Sequence, residues 1–199
     1  MQLNRHSLEV ARFSHTGDDR PVLSALCVNK THCVATNSHT LLEVAHPRQN
    51  DADTPQGVKN DGTTGLLPGE AALHASKNIP RGESLFAFQH AFTSVDPAKK
   101  RMTLTTTDLM QEKSVEAGMI DGTYPDYRQV FPTGRPKAVI AIDPKLLKEM
   151  ADYFAKHEQA GRVLIEFHGD MQPLVLRGET DAGQAIRGAI MPMRQPARK

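Results

Sequence analysis

The sequence has no tryptophan, three tyrosines and two cysteines among 199 residues. Its apolar residues are dispersed, and no run approaches the roughly 18 that suggest a membrane-spanning helix, so a membrane protein is not predicted. Cys27 and Cys33 are too few for a fold built on disulfides, and they fit a reducing cytoplasm. The two could face each other across a hairpin, but two buried free thiols are the favoured interpretation.

Neither a targeting signal nor an excess of charge is present. The N-terminus, MQLNRHSLEVARF, lacks the basic region, apolar region and small-residue cleavage site of a secretory signal, which predicts a cytoplasmic protein. The formal net charge is +1, so overall attraction to nucleic acid or to anionic membranes is not indicated. Any association with DNA must come from local placement of charge or from geometry.

The first two thirds of the chain alternate between strand-like and helix-like patterns. A ragged helical pattern in residues 3–14 precedes a predicted antiparallel meander made of VLSALCV, THCVAT and TLLEVAHP. Residues 47–64 are polar and rich in Asp, Asn and Gly, which predicts a mobile loop. A predicted helix, LLPGEAALHASKN, is followed by three predicted strands, SLFAFQ, RMTLTTT and MQEKSVEAGMI, with VDPAKK as a turn-bearing insertion.

The clearest helix follows a predicted short strand, AVIAI. Asp143 is a good N-cap and Pro144 suits the first helical position. Apolar residues then recur at helical spacing, namely Leu146, Leu147, Met150, Ala151 and Phe154. The predicted strands RVLIEFHG, PLVLRG and QAIRGAIMPM complete this part of the chain.

These elements form a repeat. Strand, helix and three strands occur in 64–120, recur in 138–193, and have a weaker start in 1–46. The pattern predicts an α+β fold of βαβββ units of about 60 residues, with about three units per chain. Each helix is expected to cover a sheet made by its own strands.

Between the second and third units lies a connector, DGTYPDYRQVFPTGRP (121–136), which holds two of the three tyrosines and has no period. Four segments, including part of the connector, resemble the bacterial DNA polymerase sliding clamp (β subunit) family: DDRPVLSALCV (18–28), ATNSHTLLEV (35–44), GTYPDYRQVFP (122–132) and AIMPMR (189–194). The family typically shows RPVLxGV, ATDGHRLA, GxFPDYRxVxP and VMPMRL in this order. The resemblance implies the DNA-clamp fold.

Members of that family have three domains of two units each, which form a ring around duplex DNA. The resemblance implies that 1–132 correspond to the middle domain, with a degraded first unit. Residues 133–199 correspond to half of the C-terminal domain with a short tail, and the first domain is expected to be absent. The connector then either passes between subunits or completes a smaller domain within one chain.

In the family, the connector and the C-terminal strand line a hydrophobic pocket for short peptides of polymerases and repair proteins. The resemblance places this pocket on Thr36, His39, Leu41, Pro125, Gln129, Val130, Ile190, Met191, Pro192, Met193 and Arg194. Methionine suits varied apolar anchors, and proline limits backbone freedom. An ordinary core strand is the alternative interpretation of the Met-Pro-Met segment.

Two substitutions and the chain's tail bear on that pocket. Ser38 and Thr40 stand where the family usually has Gly and Arg, so peptide affinity is expected to be reduced or retuned. The tail Gln195–Lys199 either covers the pocket or hangs free. Tyr124 and Tyr127 are expected to bury their rings while their hydroxyls reach polar partners.

The signal for DNA binding is weak. The predicted DNA-facing cations are Arg5, Arg12, Lys77, Lys145, Lys148 and Lys156, but Glu149 and Asp152 make the last helix a mixed face that is typical of solvated surface. A ring around DNA would need several chains, and a half-domain would need a partner to cover its sheet edge. A homo-oligomer is therefore expected.

No cofactor, metal site or catalysis is predicted. The nine histidines form neither an HExxH nor a Cys/His zinc pattern, and GTTGLLPGE lacks the signature of a phosphate loop. The expected function is that of a nucleoid-associated, sliding-clamp-like processivity factor for DNA replication and repair, which tethers proteins carrying short Gln/Leu/Phe motifs to double-stranded DNA. The alternative is a non-encircling peptide-binding adaptor or decoy that competes with the full-length clamp.

Overall fold

The chain folds into helices and antiparallel sheets that divide into two compact units, unit 1 (Met1–Tyr127) and unit 2 (Arg128–Lys199). The computed structural model describes residues 1–47, 64–80, 86–107, 110–169 and 171–194. The predicted mobile loop therefore lies outside the described residues except for its two ends, and the tail Gln195–Lys199 lies outside them entirely.

Unit 1 contains two βαβββ repeats, as the sequence pattern predicts. The first repeat consists of β1 (Gln2–Asn4), α1 (Arg5–Glu9), β2 (Ala25–Val28), β3 (His32–Thr36) and β4 (Leu41–Ala45). The second consists of β5 (Gly65–Pro68), α2 (Gly69–Asn78), β6 (His90–Asp96), β7 (Arg101–Thr107) and β8 (Glu112–Gly118). Short 3₁₀ helices cover Val10–Phe13, Phe86–Gln89 and Tyr127–Val130.

The two repeats of unit 1 are interlocked by their first strands. One sheet has the order β4-β3-β2-β5 and the other has the order β1-β6-β7-β8, so each repeat contributes its first strand to the sheet of the other. Leu67 of β5 lies opposite Leu26 of β2, and Leu3 of β1 lies opposite Ala91 of β6. The expectation that each sheet is made only of its own repeat's strands is therefore wrong for the first strand.

This exchange concentrates the core of unit 1 around the paired first strands. Leu3, Leu26 and Leu67 are fully buried, together with Leu8 of α1. Burying one such side chain contributes about 1.5–3 kcal/mol. Because these residues come from both repeats, neither repeat forms this core alone.

The described part of unit 2 is built on an α-helix that packs against a three-stranded sheet. It consists of α3 (Pro144–His157), β9 (Leu164–Glu166), β10 (Leu174–Glu179) and β11 (Ala185–Ile190), with the sheet order β9-β10-β11. Asp143 Oδ1 accepts a 2.8 Å hydrogen bond from the Lys145 N–H, which confirms the predicted N-cap. Gly178 lets α3 approach the sheet, because a Cβ there would lie 2.9 Å from the ring of Phe154.

Three local predictions are wrong. Residues 86–89 of the predicted strand SLFAFQ form a 3₁₀ helix, and the strand is His90–Asp96, whose first four residues are all buried and so show no alternation. Residues 3–14 begin in β1 and end in a 3₁₀ turn rather than forming one helix. AVIAI (138–142) is assigned no strand, because among the described residues no neighbouring repeat supplies the sheet that such a first strand joins in unit 1.

Candidate functional site: an apolar groove beside a fixed C-terminal segment

The two connector tyrosines differ in their surroundings. Tyr127 is buried, and its hydroxyl donates to Glu43 Oε1 at 2.9 Å and accepts from Asn29 Nδ2 at 3.3 Å, as expected. The hydroxyl of half-buried Tyr124 is buried without a hydrogen-bond partner of its own among the described residues, so the expectation is wrong there. Burial raises the pKa of Tyr124 to about 12, because the phenolate would lose hydration.

The turn between β3 and β4 carries three residues of the predicted pocket, Thr36, His39 and Leu41. Asn37 Oδ1 accepts from the backbone N–H groups of His39 (3.0 Å) and Thr40 (2.8 Å), which closes the turn. Ser38 has a φ of 76°, in the left-handed region that glycine adopts at least cost. Its conformation gives a physical reason for the glycine that the clamp family usually has there.

The segment that follows β11 holds two exposed methionines on a fixed backbone. Ile190 is 3% exposed, whereas Met191 and Met193 are 65% and 53% exposed. The Met193 N–H donates to the Ala141 carbonyl at 2.7 Å, which ties this segment to the residues before α3. The alternative that Met-Pro-Met is ordinary core is therefore wrong.

An apolar groove lies between α3 and the end of β11, within unit 2. This α3 groove has a volume of about 720 Å³ and is lined by Leu146, Glu149, Met150, Asp152, Tyr153, Lys156, His157, Ala189, Ile190 and Met191. Its apolar and aromatic residues follow one side of α3, and the Tyr153 ring lies 4.7 Å from the His157 ring, centroid to centroid. Charged residues lie among them. Such a groove suits a short peptide with apolar anchors and polar flanks.

The predicted pocket residues are divided between the two units. Thr36, His39, Leu41 and Pro125 belong to unit 1, and the others belong to unit 2. Gln129 and Val130 lie in the 3₁₀ helix Tyr127–Val130, with Val130 66% exposed. Within unit 2, only Ile190 and Met191 of the predicted set line the α3 groove, while Pro192, Met193 and Arg194 follow directly in the chain.

Sequence reasoning missed the helical side of this groove. Leu146 and Met150 were grouped with Leu147, Ala151 and Phe154 in a single apolar pattern, yet Leu146 is 47% exposed, and Tyr153 and His157 were assigned no role. The four residues recur at spacings of four, three and four, which places them on one side of a helix. A second apolar stripe at helical spacing was therefore the available signal.

Three of the six predicted DNA-facing cations have partners in their own unit. The Arg5 guanidinium donates to the Ile79 carbonyl, Arg12 contacts Glu9 at 3.1 Å, and Lys148 pairs with Asp152. The others, Lys77, Lys145 and Lys156, are exposed. The charge that these helices offer to a phosphate backbone is thus partly compensated.

Few features of the described residues point to other chemistry. No cluster of three or more His, Cys, Asp or Glu side chains suited to a metal occurs among them, and none of their helices is long and apolar enough to cross a membrane. Cys27 and Cys33 are free thiols, as the favoured interpretation has it, but only Cys33 is buried and Cys27 is half-buried. Burial raises the pKa of both, most of all for Cys33.

Comparison with solved structures identifies the fold. DNA polymerase III subunit beta from Borrelia burgdorferi matches with a TM-score of 0.69 and 15% identity, over 96% of this chain and 48% of that one. The fold of this chain is that of a bacterial sliding clamp. The C. crescentus beta sliding clamp matches with a TM-score of 0.66 and 17% identity, over 96% of this chain and 50% of that one. The beta subunit from the DNA polymerase of Streptococcus pyogenes matches with a TM-score of 0.68 and 13% identity, over 98% and 50%.

These matches concern the clamp fold, since all of them lie below a fifth in identity. No protein-family model and no curated protein matches the chain. The chain spans about half the length of the solved clamps that it matches. A fold does not carry a function with it, so the function has to be argued from the groove and its residues.

Proposed function

We propose that this chain is a non-catalytic accessory protein of DNA replication or repair. As an oligomer around duplex DNA, it tethers partner proteins by binding their short peptide motifs, in the nucleoid region of the cytoplasm. The observation that carries the proposal is the α3 groove, where exposed Met191 stands beside an apolar helix stripe. The clamp fold is the second support.

The chemistry of the groove suits peptides with Leu and Phe anchors. Met191 and Met193 present flexible, polarizable side chains, while the bond from the Met193 N–H to the Ala141 carbonyl holds their backbone. A backbone ordered before binding reduces the entropy lost when a peptide docks. Tyr153 offers an aromatic wall, and His157 and Glu149 offer hydrogen bonds at the rim.

Truncating both methionines tests this proposal. The double variant Met191→Ala, Met193→Ala is expected to weaken binding of a fluorescent Gln/Leu/Phe clamp-motif peptide by about 2 kcal/mol or more, roughly 30-fold in Kd. Both side chains are more than half exposed, so the fold should survive their truncation.

Met171→Ala is the matched control, because Met171 is 69% exposed in the same unit but does not line the α3 groove. Its affinity should equal that of the unaltered protein. Equal affinity of the double variant would count against peptide binding at this segment. The residues assigned to the pocket from unit 1, Thr36, His39, Leu41 and Pro125, stay a prediction from the resemblance.

A second candidate function is a non-encircling adaptor that competes with a complete clamp for its partners. Two observations favour it: Arg12 and Lys148 are paired with carboxylates and so offer less charge to DNA, and the Arg5 guanidinium is held by the Ile79 carbonyl. Both functions require peptide binding. They differ in whether the protein is retained on circular DNA.

A further inference from the structure

Unit 2 contains one half of the interlocked arrangement seen in unit 1. In unit 1 the second strand of each repeat, β2 or β6, pairs with the first strand of the other repeat. In unit 2 the corresponding second strand is β9, and among the described residues it pairs only with β10. The residues that correspond to the first strand are 140–142, which are assigned to no strand and join no sheet there. Unit 2 therefore contains both a first-strand segment and a second strand, but the two are not paired with each other or with another repeat among the described residues.

The first strand of unit 2 is already held in the position that unit 1 uses. In the second repeat of unit 1, the Ile120 N–H donates at 2.9 Å to the carbonyl of Leu66, two residues before the N-cap Pro68. In unit 2 the Met193 N–H donates at 2.7 Å to the carbonyl of Ala141, two residues before the N-cap Asp143. One edge of 140–142 is therefore bonded within its own repeat, and the opposite edge is the one that pairs with a second strand in unit 1.

The second strand of unit 2, β9, has an exposed apolar side chain at a position that is buried in both repeats of unit 1. The three repeats can be aligned with one another at the end of the third strand. In each repeat the last residue of that strand pairs with the first residue of the fourth strand, and these last residues are Thr36, Thr107 and Glu179. The residue three positions before that end is Cys33, Leu104 or Leu176, and its partner in the second strand is Val28, Thr93 or Ile165, respectively. These three second-strand residues are therefore equivalent. Val28 and Thr93 are 1% and 0% exposed, whereas Ile165 is 49% exposed.

The helix shows the same difference. Gly69, the first residue of α2, donates its N–H to the Ser24 carbonyl of the other repeat at 3.0 Å, and Ser76 lies seven residues later on the same side. Ser76 is 3% exposed. Its equivalent in α3 is Ala151, the eighth helical residue, which is exposed. A second helix that covers this side in unit 1 is missing from the described part of unit 2.

We infer that unit 2 pairs with unit 2 of a second copy of this chain, by reciprocal exchange of residues 140–142. The strand of one copy lies antiparallel to β9 of the other, with Ile142 opposite Val163, Ala141 opposite Leu164 and Ile140 opposite Ile165. This register follows from unit 1, where the N-caps Asn4 and Pro68 lie opposite His90 and Ala25.

A second copy is the occupant that this surface specifies. The donor strand and the acceptor edge belong to one unit, so two copies related by a two-fold axis satisfy both edges at once. Ile140, Ile142 and Val163 are core-side residues of unit 2, and the register sets apolar side chains opposite apolar ones.

A cysteine pair tests the register directly in the full chain. Ala141→Cys with Leu164→Cys places two thiols opposite each other across the exchanged strands, on the face away from the core. Mild oxidation should convert most of the protein to a covalent dimer on a non-reducing gel. Ala141→Cys with Glu166→Cys, two residues out of register, and each single variant should give several-fold less. Equal yields from all variants, or no dimer, would overturn the inference.

A charge at the exchanged edge tests the interface without cysteine chemistry. The unaltered chain should sediment as a dimer at about 10 μM, and Ile165→Lys should shift it to a monomer with an unchanged circular dichroism spectrum. Met171→Lys, at another exposed apolar residue of unit 2, should remain dimeric. A monomeric unaltered chain, or a dimer that tolerates Ile165→Lys, would refute the exchange.

This inference goes beyond the proposed function and does not depend on it. Ala151 and Tyr153 lie on opposite sides of α3, so the exchanged edge and the α3 groove are separate surfaces. Loss of peptide affinity in the methionine variant with an intact dimer would leave the exchange standing. A monomer that still binds the peptide would remove the exchange and leave the groove.

Discussion

At the scale of single residues, Ser38 shows how this chain departs from the sequences that it resembles. Its φ of 76° is a left-handed conformation, which costs a residue other than glycine about 1–2 kcal/mol. The Arg20 guanidinium donates to Ser38 Oγ at 2.9 Å in an exposed position, a contact worth less than this cost. We therefore expect Ser38→Gly to raise the free energy of unfolding by up to about 1 kcal/mol in urea titrations followed by circular dichroism.

Ser38→Ala separates the two contributions to that prediction. Alanine keeps the cost of the left-handed backbone and loses the bond from Arg20, so it should lower the free energy of unfolding slightly. If Ser38→Gly destabilised the protein as much as Ser38→Ala, the hydrogen bond would outweigh the backbone strain. The family's glycine would then need another explanation.

At the scale of elements, α3 depends on its N-cap more than the other helices do. Its sheet-facing side is only partly buried, apart from Phe154, so local interactions carry a larger share of its stability. Asp143→Ala removes the bond to the Lys145 N–H and should lower the free energy of unfolding of unit 2 by about 1 kcal/mol. Glu149→Ala, within the same helix, should change it by less than about 0.5 kcal/mol. Equal effects in thermal melts would contradict the capping role.

The elements that the sequence predicted well are those set by local signals. Asp143 and Pro144 start α3 by capping chemistry, and RMTLTTT forms β7 with the predicted bounds. The strand His90–Asp96 was missed because it lies inside its sheet, between β1 and β7, and its burial hides the alternation. The exchange of first strands was beyond local signals, because β1 and β6 lie about 90 residues apart in the chain.

The sequence predicted which segments contribute to the candidate site, but not which residues of α3 face those segments. The Met-Pro-Met segment could be located from sequence, but the exposure of its methionines and the backbone bond from Met193 to Ala141 are seen only in the structure. Tyr153 lines the α3 groove because the sheet covers another side of α3. The single apolar pattern seen in the sequence did not show which side of the helix the sheet would cover. Likewise, Tyr127 found a hydroxyl partner in Glu43, but the sequence held no sign that Tyr124 lacks one.

At the scale of the whole molecule, the low net charge indicates that any retention on DNA would come from encirclement rather than from contacts with phosphates. The formal net charge is +1, and Arg12 and Lys148 are paired with carboxylates, so few phosphates can be neutralised. If several free lysines faced DNA, affinity would fall steeply with salt. We expect weak binding to a short linear duplex at about 150 mM salt, close to the physiological ionic strength, measured by fluorescence anisotropy.

Closed circular DNA distinguishes encirclement from the adaptor function. Protein assembled at high concentration with a circular plasmid should elute with the DNA in gel filtration, and cutting the plasmid once should release it, because a ring can slide off a free end. Ile165→Lys should abolish retention if the exchanged dimer is part of the ring. Absence of retention on the circle, with peptide affinity intact, would favour the adaptor. Retention that survives linearisation would contradict both functions, since it would require direct contacts with phosphates that the paired cations do not supply.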